Sequence, residues 1–161
     1  MAIENERKFL VKDDSYKAEA YSSKRIIQGY LSSVPERTVR IRIAADKAFI
    51  TVKGEHKKGS SECFEWEKEI PVEEARELLA LAEPGAIDKT RWKVKRTPAG
   101  SHDWEVDEFH GDNEGLVMAE LEFVPEDGPF DRPSWLGREV TGIKKYYNAA
   151  LSRKPYKKWK K

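Results

Sequence analysis

The sequence predicts an α+β, mainly β fold: a closed eight-stranded antiparallel barrel with a charged lumen and a few covering helices. Three observations lead there. Eight segments alternate apolar and polar residues with a period of two. The charges on the polar faces are sorted by strand, some strands acidic and others basic. One stretch alone, near residues 71–82, carries a helical apolar stripe of useful length.

The elements follow in order. Ile3 to Val11 reads as the first strand, and the polar piece that follows holds at most a helical turn or two at Ser15 to Ala20. Lys24 to Ser33 is the second strand. Arg37 to Ala44 and Lys47 to Gly54 form a hairpin that turns at Ala45-Asp46, and Ser61 to Ile70 is the fifth strand. Pro71 opens the helix, where a missing N–H costs nothing, and Glu73 and Glu74 suit its positive end. Val72, Ala75, Leu78, Leu79 and Ala82 form its apolar stripe, and Pro84-Gly85 ends it. Ile87 to Thr97, His102 to Phe109 and Gly115 to Val124 complete the eight strands. A helix is expected from about Lys144 to Ser152, then a loose basic tail over 155–161. No repeat or linker divides the chain, so 1–161 reads as one domain.

Composition excludes several classes. Charged residues make up 37% of the 161 residues, against about 25% in ordinary soluble domains. Yet 30 Lys and Arg meet 29 Asp and Glu, leaving a formal charge of +1. That balance does not suit a nucleic-acid partner. The 39% hydrophobic content, with 5 Trp, 6 Tyr and 6 Phe, can fill a core. No apolar run is long enough for a membrane helix, and no secretory leader is evident, so a soluble cytoplasmic protein without a membrane partner is expected. The single Cys63 and the three His residues, His56, His102 and His110, read as inert or surface groups.

The chemistry lies in the sorted faces, because residues two apart share a face of a strand. Glu4, Glu6 and Lys8 share one in the first strand, Arg40 and Arg42 in the third, and Glu65, Glu67 and Glu69 in the fifth. Lys89, Arg91 and Lys93 share one in the sixth, Glu105 and Asp107 in the seventh, and Glu120 and Glu122 in the eighth. Lys53 joins the basic set from the fourth. A solvated face gains nothing from such sorting. A bound polyanion with bridging cations would require it: basic strands hold phosphate oxygens and acidic strands hold hard metal ions. Lys93 and Glu105 read as solvated or structural. Eight strands close a barrel of useful width, and charge inside implies a wet lumen. The apolar outside would then be covered by helices or by a second subunit in a homodimer.

These residues resemble the CYTH superfamily, also called triphosphate tunnel metalloenzymes. Glu4-Asn5-Glu6-Arg7-Lys8 fits its ExExK signature. Arg40-Ile41-Arg42, Thr51-Val52-Lys53, Glu65-Trp66-Glu67, Lys89-Thr90-Arg91, Asp107 and Glu120-Leu121-Glu122 resemble its later strand motifs in order. Lys145-Tyr146 with Asn148 resembles its closing segment. Cys63 and Ile143 stand where many members carry other residues. The resemblance implies an eight-stranded tunnel that acts on triphosphates with Mg²⁺ or Mn²⁺, and it is nearest the short bacterial inorganic triphosphatases. It further implies Lys8, Arg40, Arg42, Lys53, Lys89, Arg91 and Lys145 as substrate-binding groups. Glu4, Glu6, Glu65, Glu67, Asp107, Glu120 and Glu122 are the implied metal ligands. Lys8, Glu4, Glu6, Glu120 and Glu122 are the implied catalytic set.

The expected reaction is hydrolysis of inorganic triphosphate to pyrophosphate and phosphate by a metal-activated water. The alternatives in the same tunnel are a class IV-type adenylate cyclase and a thiamine or nucleoside triphosphatase. A non-catalytic polyphosphate-binding module is the alternative from another class.

Overall fold

The computed structural model describes residues 6–55 and 64–159. Glu4, His56 and Cys63 lie outside the described residues. One antiparallel sheet runs through the chain. Its strands are β1 (Glu6–Val11), β2 (Ala20–Ser32), β3 (Arg37–Ala44), β4 (Lys47–Gly54), β5 (Glu65–Ile70), β6 (Ile87–Val94), β7 (Trp104–Phe109), β8 (Val117–Glu122) and β9 (Leu136–Glu139). They are ordered β5-β4-β3-β2-β6-β7-β8-β1-β9. Among the described residues three α-helices accompany them: α1 (Tyr16–Glu19), α2 (Val72–Leu79) and α3 (Asn148–Arg153).

The eight expected strands are all present, and a ninth adds to them. β9 follows a Pro-rich stretch and pairs with the free edge of β1, through Phe9↔Glu139 and Val11↔Leu136. That occupied edge, with β5 bonded to β4 alone, leaves the ladder open among the described residues, where a hydrogen-bonded ring was expected. The sheet still curls, because side chains from β1, β3, β4, β5, β6, β7 and β8 line one cavity. β2 starts four residues earlier than expected, and a register shift between Ala20 and Ser22 absorbs the extension.

Alternation divides the sheet into two faces. On the outer face Phe9, Val94, Trp104, Val106, Ala119 and Leu121 pack with Tyr16 of α1 and with Trp135. Edge-to-face ring pairs join Trp104 to Phe9, Phe130 and Trp135 at 5.3–5.7 Å. Farther along, Ala75 of α2 packs on Ile41, Ile43 and Ala48. The chain therefore covers most of its own apolar face, with Phe64 and Trp66 left exposed beside and on β5.

The inner face is not charged throughout. At one end Ile87, Phe109, Leu116 and Met118 meet Tyr146 and Leu151, which forms an apolar floor. The expected helix over 144–152 is a 3₁₀ turn at Lys144–Tyr146 followed by α3. The tail expected to be loose packs instead. Trp159 stacks edge-on against Tyr146 and Tyr156, and the Tyr156 N–H donates to Asn113 Oδ1 at 2.8 Å. An aromatic tail can bury ring area that a run of Lys alone could not.

Candidate active site: a charged cavity inside the sheet

Above the apolar floor the inner face encloses a cavity of about 330 Å³. Glu6 and Lys8 reach it from β1, Arg40 and Arg42 from β3, and Lys53 from β4. Glu65, Arg91, Glu105 and Glu120 reach it from β5, β6, β7 and β8, and Tyr147 and Asn148 close it at the start of α3. A second cavity of about 260 Å³ continues it through the shared Glu6, Glu105 and Glu120, and adds Glu122, His102 and Asp103. A third, also about 260 Å³, shares Arg40 and Lys53 and adds Tyr30, Pro35 and Thr38. The passage thus runs from an acidic mouth to a basic one.

Strand register sets the acidic mouth. Glu6 stands opposite Glu122, and Glu105 stands opposite Glu120. Like charges directly opposite in a ladder destabilise it. Glu120 pairs with Lys8, whose Nζ also lies 4.7 Å above the Tyr147 ring. Burial raises the Glu120 pKa, but the Lys8 ammonium outweighs it and holds the carboxyl below its ordinary range. His102 was read as a surface group; its ring is 42% exposed, yet Nε2 lies 3.5 Å from Glu122 at this mouth.

The basic wall is differently compensated. Arg42 Nε donates to Gln28 Oε1 at 2.8 Å. Arg40 Nη2 lies 3.5 Å from Thr51 Oγ1, and its buried Nε has no hydrogen-bond partner among the described residues. Among the described residues no carboxylate lies within 4 Å of Arg40, Arg42 or Lys53. Burial first, then repulsion from Arg40 and Arg91, pushes the Arg42 pKa down to about 10. Glu65 stands opposite Lys53 in the ladder, and among the described residues the three cations of the wall outnumber the carboxylate that lines the cavity beside them.

Other expected site residues fall elsewhere. Lys89 is fully buried below the cavity, 2.8 Å from Asp107. Asp107 is buried too, and Arg91 grips it through Nε at 2.8 Å and Nη2 at 3.0 Å. Glu67 lies on the β5 edge and accepts from Thr51 Oγ1 at 2.7 Å. Lys145 does not reach the cavity: its Nζ lies 4.7 Å over the Trp159 ring. Glu105, read as solvated or structural, lines two of the cavities. Sequence reasoning passed over Gln28, Tyr30, Thr51 and Tyr147. Pairing β2 with β3 would have found the first two, since Gln28 faces Arg42 and Tyr30 faces Arg40.

The donor set suits a hard divalent cation. Glu6, Glu105, Glu120 and Glu122 offer oxygen ligands only, in opposed like-charged pairs that a cation would relieve. The set is not gathered in advance, because among the described residues no three such groups stand close enough to hold an ion.

A CYTH domain matches residues 2–154. The chain belongs to the CYTH family. This CYTH protein is 45% identical to the inorganic triphosphatase of Acetivibrio thermocellus over 163 residues, covering 99% of each chain. It is 34% identical to the inorganic triphosphatase of Nitrosomonas europaea, covering 92% of this chain and 96% of that one. The crystal structure of the inorganic triphosphatase NE1496 superposes with a TM-score of 0.72 at 32% identity, covering 94% and 95% of the two chains. HpAC1 of Hippeastrum, at 14% identity and a TM-score of 0.55 over 77% of this chain and 81% of that one, shares the fold. No helix among the described residues is long and apolar enough to cross a membrane.

Proposed function

We propose that this CYTH protein hydrolyses inorganic triphosphate to pyrophosphate and phosphate with a divalent metal ion, Mg²⁺ or Mn²⁺. The observation that carries the reading is the wall of Arg40, Arg42 and Lys53, which among the described residues makes no ion pair with a carboxylate, set across one cavity from opposed carboxylates. A small polyanion supplies the charge that the wall lacks. The inorganic triphosphatases among its full-length relatives support the choice of substrate.

The chain's own residues bind and orient. Arg40 and Arg42 offer guanidinium forks that can take phosphate oxygens two at a time, and Lys53 adds a point charge. Each such charge-assisted bond contributes about 1.5–3 kcal/mol. Arg91 lines the same cavity and would meet the phosphate chain on its way to the acidic mouth. Lys8, held between Glu120 and Tyr147, keeps one ammonium at the junction of the two walls. Glu6, Glu105, Glu120 and Glu122 would hold the cation, and Glu65 lines the central cavity from β5, opposite Lys53. When bound, a divalent cation supplies charge neutralisation and lowers the pKa of a coordinated water. Aligned phosphate oxygens and fixed positive charge are what phosphoryl transfer asks of a protein.

A substrate panel tests the reading. Tripolyphosphate, ATP and thiamine triphosphate are each supplied with Mg²⁺ or Mn²⁺, and products are followed by phosphorus NMR. Tripolyphosphate turnover at the highest kcat/KM is expected. Cyclic AMP from ATP would instead make the protein a cyclase, and binding without turnover of any substrate would make it a binding module.

A further inference from the structure

We propose that Asp107 is a positioning residue for Arg91, with Lys89 as its buried counter-ion, and not a metal ligand. The inference rests on the triphosphatase reading above and assigns a role within that site. Both Asp107 oxygens are engaged: Oδ1 accepts from Arg91 Nε at 2.8 Å, and Oδ2 accepts from Arg91 Nη2 at 3.0 Å. Lys89 Nζ adds a third approach, 2.8 Å from Oδ2. The fork-on-carboxylate geometry fixes the plane of the guanidinium as well as its place.

Location separates Asp107 from the acidic mouth. Asp107 is 3% exposed and Lys89 0% exposed, and neither is among the residues lining the central cavity or the acidic one. In the ladder Asp107 stands opposite Met118, at the edge of the apolar floor, and the Lys89 ammonium lies 5.6 Å over the Phe109 ring. The carboxylates of the acidic mouth stand two residues farther along the same face, at Glu105 and Glu120. A cation held there would have to draw Asp107 out of the Arg91 fork and leave the fully buried Lys89 ammonium without its counter-ion, which is costly.

What the arrangement achieves is visible on Arg91. Its Nε and Nη2 edge is taken by Asp107, while Nη1 lies 3.5 Å from Glu105 Oε2 and the group lines the cavity. A free arginine would sample many rotamers over phosphate oxygens. This one presents a single edge, and Lys89 offsets the charge of the carboxylate that holds it.

The test compares Asp107→Asn, Arg91→Lys, their double variant, and Lys89→Met/Asp107→Asn. The last removes one charge of each sign and guards against failure to fold. Steady-state kinetics with tripolyphosphate are read beside Mn²⁺ affinity by electron paramagnetic resonance. Asp107→Asn is expected to raise KM at least 10-fold while the Mn²⁺ Kd stays within 2-fold. In the Arg91→Lys background the same change should add less than 2-fold, because the fork it serves is already gone. A 10-fold loss of Mn²⁺ affinity in Asp107→Asn, or effects of the two substitutions that multiply, would overturn the assignment. An inactive wild type would count against the triphosphatase reading alone. Tripolyphosphate affinity by calorimetry would then replace KM, with the same two outcomes.

Discussion

Glu105 of β7 stands directly across the ladder from Glu120 of β8, and both carboxylates line the acidic mouth. Opposed like charges cost roughly 0.2–1 kcal/mol in a sheet, and a cation between them removes that cost. Glu105→Gln should weaken Mn²⁺ binding about 10-fold, or about 1.4 kcal/mol. At a Mn²⁺ concentration of about 100 times the wild-type Kd, binding stabilises the wild type by about 2.7 kcal/mol. At about 2–4 °C per kcal/mol, the Mn²⁺-induced rise in Tm should be about 3–5 °C smaller in the variant. Equal rises in both proteins would remove Glu105 from the cation site.

Arg42 is held by Gln28 and crowded by Arg40 and Arg91. Burial and the neighbouring cations make its charge costly in the free protein, and the proposed role of that charge is to bind substrate. Arg42→Gln should leave Tm unchanged or higher while raising KM for tripolyphosphate at least 10-fold, about 1.4 kcal/mol. Melting curves and initial rates on the same preparations check both halves.

Gly85 ties the fold to the site. It has φ +99°, and a Cβ there would lie 1.9 Å from the Ser152 carbonyl oxygen of α3. α3 cannot stay docked against such a clash, and Tyr147 and Asn148 at its start close the central cavity. Gly85→Ala should cost about 1–3 kcal/mol from the backbone strain alone and lower kcat/KM as well. Thermal melts and kinetics measure the two effects.

β9 is pinned to β1 by Arg7 and Glu139, through bonds of 3.0 and 2.7 Å. The Arg7 bond first, then one from Thr141, pulls the Glu139 pKa from 4.5 down to about 2. A depressed carboxylate stabilises the fold above its unfolded pKa, and the gain is lost as pH falls through the folded value. The pair is partly exposed, so its contribution is expected to stay below about 1 kcal/mol. Wild type should melt higher than Glu139→Gln above pH 4.5, and the difference should close as pH falls toward 2. A pH-independent difference would assign the effect to packing.

Lys145 faces the aromatic tail, away from the cavity. Lys145→Ala should leave KM for tripolyphosphate within 2-fold. A 10-fold rise would return it to the substrate-binding set.

Strand parity made much of the site legible. A period of two leaves little freedom, so Lys8, Arg40, Arg42, Lys53, Arg91 and Glu120 reach one cavity as read from the sequence. Register is another matter. The Glu105–Glu120 opposition depends on the β7–β8 turn through Gly111–Asn113, and nothing in a single strand announces it. The fate of Asp107 depends on side-chain direction and on two partners, one in the next strand position, which alternation does not encode. β9 went unseen because Leu-Gly-Arg-Glu is four residues without a β-branched run. The packed tail was hidden by its lysines, whose charge masked what Tyr156 and Trp159 could bury.

The most direct measurement is the initial rate of phosphate release from tripolyphosphate as Mg²⁺ or Mn²⁺ is titrated into chelator-treated protein. The expected result is no turnover without metal and a saturable rise as metal is added. Turnover that persists without metal, or no phosphate release at any metal concentration, would contradict a metal-dependent triphosphatase.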